Sequence, residues 1–275
     1  MILNGEQTPI GRIRCDHFQE RIKISADQKG KLTLVGIGPG DAKHITPAAK
    51  DALAGADVII GYGQYLRQVK DLVDEKRVQE FPMGKEQERA LEAFRLALEG
   101  MSVAVVTGGD AGIYDMAAPV FELVAVMDEA DRTLVALEIV PGITAANMAA
   151  SLIGSPLAQD YAVISLSDRF VPWEQIERRL DAVASADMVL ALYEPSSRHR
   201  PEQLGRAQEV LLRHREAGTP VAVAREASRA DETINVTTLG QMTEFAHDKR
   251  TVIIVGNSTS KQVGDWMITP RAYPL

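Results

Sequence analysis

Val103-Ala104-Val105-Val106-Thr107-Gly108-Gly109-Asp110-Ala111-Gly112-Ile113-Tyr114-Asp115-Met116-Ala117 decides the fold of this chain. Residues 103–106 are an apolar run rich in β-branched residues, the pattern of a strand buried on both faces. The run stops at Thr107-Gly108-Gly109-Asp110, where paired glycines let the backbone turn sharply and let a ligand lie against it. Asp110 then offers a carboxylate able to accept hydrogen bonds from a hydroxyl or an ammonium group. A helix is expected from about Gly112. A strand, a loop and a helix with an acid at the strand's carboxyl end make the corner where open α/β sheets bind ligands. The same residue types also build an ordinary strand-to-helix turn.

Outward from this corner the pattern repeats. Leu32 to Val35 reads as a first strand, running into Gly36-Ile37-Gly38-Pro39-Gly40-Asp41. Thr46-Pro47 has the form of an N-cap with proline at the first helical position, and that helix runs to about Ala54. Asp57 to Ile60 is a second strand, followed by helical spacing at Leu66, Val69, Leu72 and Val73. Glu86 to Leu98 is a clear helix. Leu134 to Ile139 is a strand ending in Val140-Pro141-Gly142-Ile143-Thr144, with an alanine-rich helix to about Leu152. Gly154-Ser155-Pro156 combines breakers with a change of pattern, so the expected organisation is an N-terminal extension over 1–30, one α/β domain over 31–153 and a second over 154–275. In the second half, strands are expected at Tyr161–Leu166, Met188–Tyr193, Val221–Val223, Thr233–Thr238 and Thr251–Val255, the last of them closing the series. Thr233–Thr238 alternates and predicts an antiparallel pairing. Trp173, Ile176, Leu180 and Val183 predict one helix, anchored in the core by Trp173, and Leu204–Arg215 a second.

Composition narrows the classes. At 275 residues with 45% hydrophobic and 25% charged residues, this is an ordinary globular chain with room for two modest domains. No apolar run reaches membrane-span length, and the first thirty residues lack the apolar core of a signal peptide. Cys15 is the single cysteine, which excludes an internal disulfide framework and a four-cysteine metal or cluster site, and a cytoplasmic location is expected. A net charge of −8 with 5% aromatics argues against a nucleic-acid partner.

Gly36-Ile37-Gly38-Pro39-Gly40-Asp41 superficially suggests dinucleotide binding. The third fingerprint glycine would fall at Asp41, Pro39 removes a backbone donor, the helix starts too late, and the second strand ends at Gly61 instead of an acid. The loop reads instead as a rigid wall. The strand ends also offer no His/Cys metal set, no Gly-x-Ser-x-Gly elbow and no Gly-Lys-Ser/Thr, so metal hydrolysis, acyl transfer and phosphoryl transfer find no support. His17, His44, His199, His214 and His247 have no ligand spacing, and Arg198-His199-Arg200, taken alone, suits a solvated charge run.

Taken in order, Val35-Gly36-Ile37-Gly38-Pro39-Gly40-Asp41, Ala56-Asp57-Val58-Ile59-Ile60-Gly61, Gly108-Gly109-Asp110-Ala111-Gly112-Ile113-Tyr114 and Glu138-Ile139-Val140-Pro141-Gly142-Ile143-Thr144-Ala145 resemble the tetrapyrrole methylases over about residues 31–275. Gly61-Tyr62-Gly63-Gln64-Tyr65-Leu66, Leu192-Tyr193-Glu194-Pro195-Ser196-Ser197-Arg198, and Val255-Gly256-Asn257-Ser258-Thr259 with Thr269-Pro270-Arg271-Ala272-Tyr273 narrow the resemblance. They are similar to the members that methylate C17 of precorrin-3B, or of its cobalt-containing counterpart, and contract the ring to precorrin-4.

The resemblance implies two α/β domains with an interdomain active-site cleft, a homodimer, a tetrapyrrole or corrinoid substrate, and S-adenosylmethionine as cofactor, with S-adenosylhomocysteine as its product. It implies cofactor binding by Pro39, Gly108, Gly109, Asp110, Ile113, Thr144, Ala145, Tyr193, Glu194 and Ala227, with Pro39 to Asp41 turned to the substrate side. The family often has Pro where this chain has Ala111 and Asn where it has Glu194, and the glutamate adds a charge near the cofactor. Methyl transfer from sulfonium to carbon needs two reactants held aligned and dry, with no metal. Ring contraction adds acid–base work, for which Asp41, Tyr62 and Tyr114 are the candidates. Arg198, Arg200, Arg225, Arg229 and Arg271 are candidates for the substrate's carboxylates, as bidentate donors. The rival readings are a sister methylase, such as one acting on C11 of precorrin-4, and a non-catalytic nucleotide- or tetrapyrrole-binding protein.

Overall fold

The computed structural model describes residues 29–73 and 76–274. The extension expected over 1–30 lies outside the described residues as far as Gln28. The first half alternates strand and helix: β1 (Gly30–Gly36), α1 (Pro47–Ala54), β2 (Val58–Tyr62), α2 (Gly63–Gln68), β3 (Arg77–Phe81), α3 (Glu86–Leu98), β4 (Ser102–Thr107), α4 (Ala117–Val126), α5 (Glu129–Arg132) and β5 (Val135–Val140). The five strands form a wholly parallel sheet in the order β3-β2-β4-β1-β5. Both faces are covered, which explains the unbroken apolar runs. Leu32, Leu34, Val103 and Val105 pack against α3 and α4, while Val35, Ala104 and Val106 pack against α1 and α2. Thr46 caps α1 by accepting from the Ala49 N–H at 3.1 Å, with Pro47 at the first helical position, as its sequence predicts.

The second half contains α6 (Ala145–Ile153), β6 (Gly154–Ser155), β7 (Tyr161–Ser165), α7 (Trp173–Ser185), β8 (Val189–Tyr193), α8 (Gln203–Leu211), β9 (Pro220–Arg225), β10 (Thr233–Thr238), β11 (Thr251–Val255), β12 (Lys261–Val263) and β13 (Trp266–Ile268). Its main sheet has the order β10-β9-β11-β8-β7. β7 and β8 are parallel, and every other pairing in it is antiparallel, including β10 on β9 as its alternation predicts. Helices α7 and α8 cover one face of this sheet. Trp173 opens α7 as a buried anchor, with the Arg206 guanidinium 4.2 Å above its ring. The opposite face is covered by α6, whose Ala146, Ala149 and Ile153 pack on Val189, Ala191, Ala222 and Ile254.

Three expectations change. The helix expected from Gly112 starts at Ala117, because residues 111–116 form turns in which Tyr114 adopts φ 57°. Thr251–Val255 is not the last strand: β12 and β13 follow and pair with β6 in a small third sheet. β3 is an added edge strand whose side chains are largely exposed, so it carries little apolar signal.

Candidate active site

Strand order fixes where the loops open. From β1 the chain passes to α1 on one face of the first sheet, and from β4 to α4 on the other, so the loops at their carboxyl ends diverge. A crevice at such a reversal of strand order is where open α/β sheets hold ligands. Here the reversal lies between β1 and β4, at the two glycine-rich loops.

Those loops are joined backbone to backbone. The Gly38 N–H donates to Gly109 O at 3.1 Å and the Gly109 N–H donates to Gly38 O at 2.8 Å. The loop after β5 closes on both: a Cβ at Gly142 would lie 2.0 Å from Gly109 O and 2.7 Å from Gly36 O. Asp110 completes the junction. Its Oδ1 accepts from the Gly112 N–H at 2.8 Å and its Oδ2 from the Gly142 N–H at 3.0 Å. The carboxylate thus ties the β4 loop to the β5 loop. Gly109 sits at φ 63°, with nothing within 3.8 Å of where its Cβ would stand, so its face is open.

The second sheet supplies the opposing wall. The Tyr193 hydroxyl, at the end of β8, is hydrogen-bonded with Thr144 Oγ1 at 2.5 Å and accepts from the Ala146 N–H at 2.9 Å. It satisfies a free donor at the start of α6, a task Thr144's own side chain does not perform. Burial raises the Tyr193 pKa, so the phenol stays neutral. Replacing Tyr193 by phenylalanine is expected to leave that N–H and the Thr144 hydroxyl without their partner. A cost of about 1–2 kcal/mol, read as a lower melting temperature in calorimetry, checks this.

A cavity of about 180 Å3 lies between the two walls. It is lined by Pro39, Gly108, Gly109, Asp110, Ile113, Thr144, Ala145, Tyr193, Glu194 and Ala227, every residue expected around the cofactor, together with Tyr114 and Arg229. Tyr65, Asp115, Glu226, Lys249 and Arg250 line it too, none of them expected from sequence. Tyr114, Glu194 and Glu226 hold left-handed backbone at φ 57°, 50° and 52°. Such strain in non-glycine residues concentrates at functional sites. Glu226 is buried and ion-paired with Arg250. Tyr65 packs across the missing side chain of Gly108, and burial pushes its phenol pKa far up.

Asp41 belongs to a neighbouring, open cleft of about 590 Å3 with Lys43, Gln64, Gln68, Ser228 and Arg229. The Lys43 N–H holds the Asp41 carboxyl below its usual range. Arg229 lines both spaces, and its Nε donates to Pro39 O at 2.7 Å, closing residues 226–229 onto the loop after β1. The remaining candidates are not brought in. Tyr62 packs edge-on against Tyr65 at 5.6 Å and lines neither space. Arg200 pairs with Glu194 at 3.2 Å, Arg225 pairs with Asp248 at 3.2 Å, and Arg198 and Arg271 are exposed. The Tyr114 hydroxyl donates to Val163 O and accepts from the Ser165 N–H, both at 3.1 Å, so its proton and its lone pair are engaged.

Comparison with known proteins identifies a family. The profile of the family described as Tetrapyrrole (Corrin/Porphyrin) Methylases matches residues 31–243. The cobalt-factor III methyltransferase of Priestia megaterium is 42% identical over 245 residues, covering 89% of this chain and 45% of that one. The precorrin-3B C(17)-methyltransferase of a Sinorhizobium species is 41% identical over 249 residues, covering 89% of this chain and 97% of that one. This chain therefore spans about half the length of some curated relatives and nearly all of others. Among solved structures, that of the methyltransferase CobJ superposes with a TM-score of 0.82 at 36% identity, covering 88% of this chain and all of that one.

Proposed function

The chain belongs to the tetrapyrrole (corrin/porphyrin) methylases, and on that premise we propose that it methylates C17 of precorrin-3B, or of the cobalt-containing counterpart, using S-adenosylmethionine, with contraction of the macrocycle. The near full-length match to the Sinorhizobium enzyme carries this reading, and the match to the cobalt-factor III enzyme keeps both forms of the substrate within it.

The 180 Å3 cavity has the donor set such a cofactor needs. Open backbone at Gly109 lets a flat nucleoside approach, and the rings of Tyr114 and Tyr193 stand 5.5 Å apart beside it. The Glu226 carboxylate and the cations of Arg229, Lys249 and Arg250 line the same space, a mixture suited to a zwitterionic amino-acid end. Bound there, S-adenosylmethionine supplies an electrophilic methyl group. The chain's part is to fix the direction of approach and exclude water, which the Gly36–Gly109–Gly142 junction and the Arg229–Pro39 closure favour. We assign the macrocycle to the open cleft beside it, where Asp41 is the candidate acid–base group and Arg229 and Lys43 the candidate carboxylate contacts. The same reading carries the division into two α/β domains, a homodimer and a cytoplasmic location.

Incubation with S-adenosylmethionine and either precorrin-3B or its cobalt form tests the proposal. The expected product is heavier by one methyl group, bears it at C17, and has the absorbance of a contracted ring. Methylation of precorrin-4 alone identifies a sister enzyme, and no methylation of any corrinoid rejects the assignment.

A further inference from the structure

One carboxyl in the cavity is buried, accepts from the Gly108 and Met116 N–H groups, and has no ion-paired partner among the described residues. Asp110 is engaged by two backbone N–H groups and Glu226 by Arg250, whereas Asp115 forms no ion pair among the described residues. It lies in the turn before α4 and lines the cavity beside Tyr65 and Gly108. The charged and titratable groups around it are Arg89 and Glu86 of α3 and Tyr65 of α2. Glu226, Arg229, Lys249 and Arg250 of the second lobe line the same space.

Arg89 sharpens the case. It is 3% exposed, its Nε has no hydrogen-bond partner, its Nη1 reaches only Met116 Sδ at 3.4 Å, and its Nη2 donates to Pro82 O at 3.5 Å. A buried cation without an ion pair beside a carboxyl that lines a cavity is an incomplete charge arrangement.

We infer that Asp115 is the counter-charge of the donor's cation, ionising when a cation enters the cavity, so that the site prefers S-adenosylmethionine to S-adenosylhomocysteine. This rests on the cavity being the donor site. The physical basis is the charge difference between the two ligands. Transfer of the methyl group leaves the C–S bonding pair on sulfur, so the sulfonium becomes a neutral thioether. An ionised Asp115 binds the first more tightly than the second. When the donor binds, Asp115 gives its proton to solvent, and the carboxylate and the sulfonium neutralise each other. Burial pushes the Asp115 carboxyl up to about 7, against the pull of Arg89 and of the Met116 and Gly108 N–H groups, while Glu86 adds to the rise. An entering cation within a few ångströms lowers a carboxyl by about 1–3 pH units, enough to ionise it at neutral pH.

Titration calorimetry at pH 7 in two buffers of different ionisation enthalpy tests this on the full chain. For the wild type, S-adenosylmethionine is expected to release up to about half a proton per site, and S-adenosylhomocysteine clearly less. The preference for S-adenosylmethionine is expected to rise about tenfold from pH 6 to pH 8. In Asp115→Asn both differences disappear. Equal proton release by the two ligands, or a difference that survives in Asp115→Asn, overturns the inference. Failure of the wild type to bind either ligand overturns the donor-site reading and this inference with it. Folding of the variant is checked by its melting temperature. The folded carboxyl keeps its proton to about pH 7, but the unfolded chain loses it near 3.8, so ionisation costs stability as pH rises through that window. Asp115→Asn is therefore expected to melt no lower than wild type at pH 8, and the wild-type ligand comparison stands without the variant.

Discussion

Replacing Gly142 by alanine is expected to destabilise the protein by about 3 kcal/mol or more and to abolish donor binding. The added Cβ would stand 2.0 Å from Gly109 O and 2.7 Å from Gly36 O. Neither neighbour is a flexible side-chain tip. Both are main-chain atoms at the carboxyl ends of β4 and β1, and Gly109 is further held by its paired hydrogen bonds with Gly38. Relief therefore requires one strand end to move, and the cavity wall moves with it. A fall in melting temperature of about 6–12 °C is the expected readout for a chain of this size. Gly205 is the internal control. It lies inside α8, nothing stands within 4 Å of its Cβ position, and alanine there is expected to stabilise by about 0.5–1 kcal/mol. A Gly142→Ala protein as stable as wild type would show that this junction is not tight.

Asp110→Ala has the second largest expected effect. The substitution strands two backbone donors, the N–H groups of Gly112 and Gly142, each bonded to a carboxylate oxygen. Bonds of this kind contribute about 1.5–3 kcal/mol each, and partial access to water returns some of the loss. A net cost of about 2–4 kcal/mol is expected, with donor affinity down about 10- to 100-fold as the loop lining the cavity loosens. Asp110→Asn keeps one amide oxygen as acceptor and is expected to fall between the two. Calorimetric titration with S-adenosylhomocysteine, paired with melting curves, separates the terms. Full stability with lost binding would mean that the carboxylate contacts the ligand and does not act as a tie.

Much of this was legible in sequence where a local rule decides the outcome. Thr46-Pro47 marks a helix start by capping chemistry alone, and Val103–Val106 marks a doubly covered strand by its apolar run. The loops around the cavity were found by the resemblance, and the glycines agree because a Cβ at Gly36 or Gly142 would stand 2.0–2.8 Å from neighbouring backbone atoms. What sequence missed depends on distant partners. The Asp115 carboxyl is set first by burial and then by Arg89 and Glu86 of α3, and nothing in Tyr114-Asp115-Met116 announces them. Glu226 owes its burial to a closure against Arg250 and Arg229. Arg200 and Arg225 look like substrate contacts until their carboxylate neighbours Glu194 and Asp248 are seen. β3 and the β12–β13 hairpin escaped because their exposed residues carry little periodicity.

Tyr114 has a further consequence. Its phenol occupies an N–H and a C=O of β7, the outermost strand of the second sheet. A bare strand margin invites a foreign strand to add on, and proteins commonly block it with a charge, a proline or a covering loop. Here a single ring borrowed from the loop after β4 does the blocking. Any change that draws this loop away from β7 therefore uncovers a sticky seam, and such variants should form insoluble material well before they lose their secondary structure.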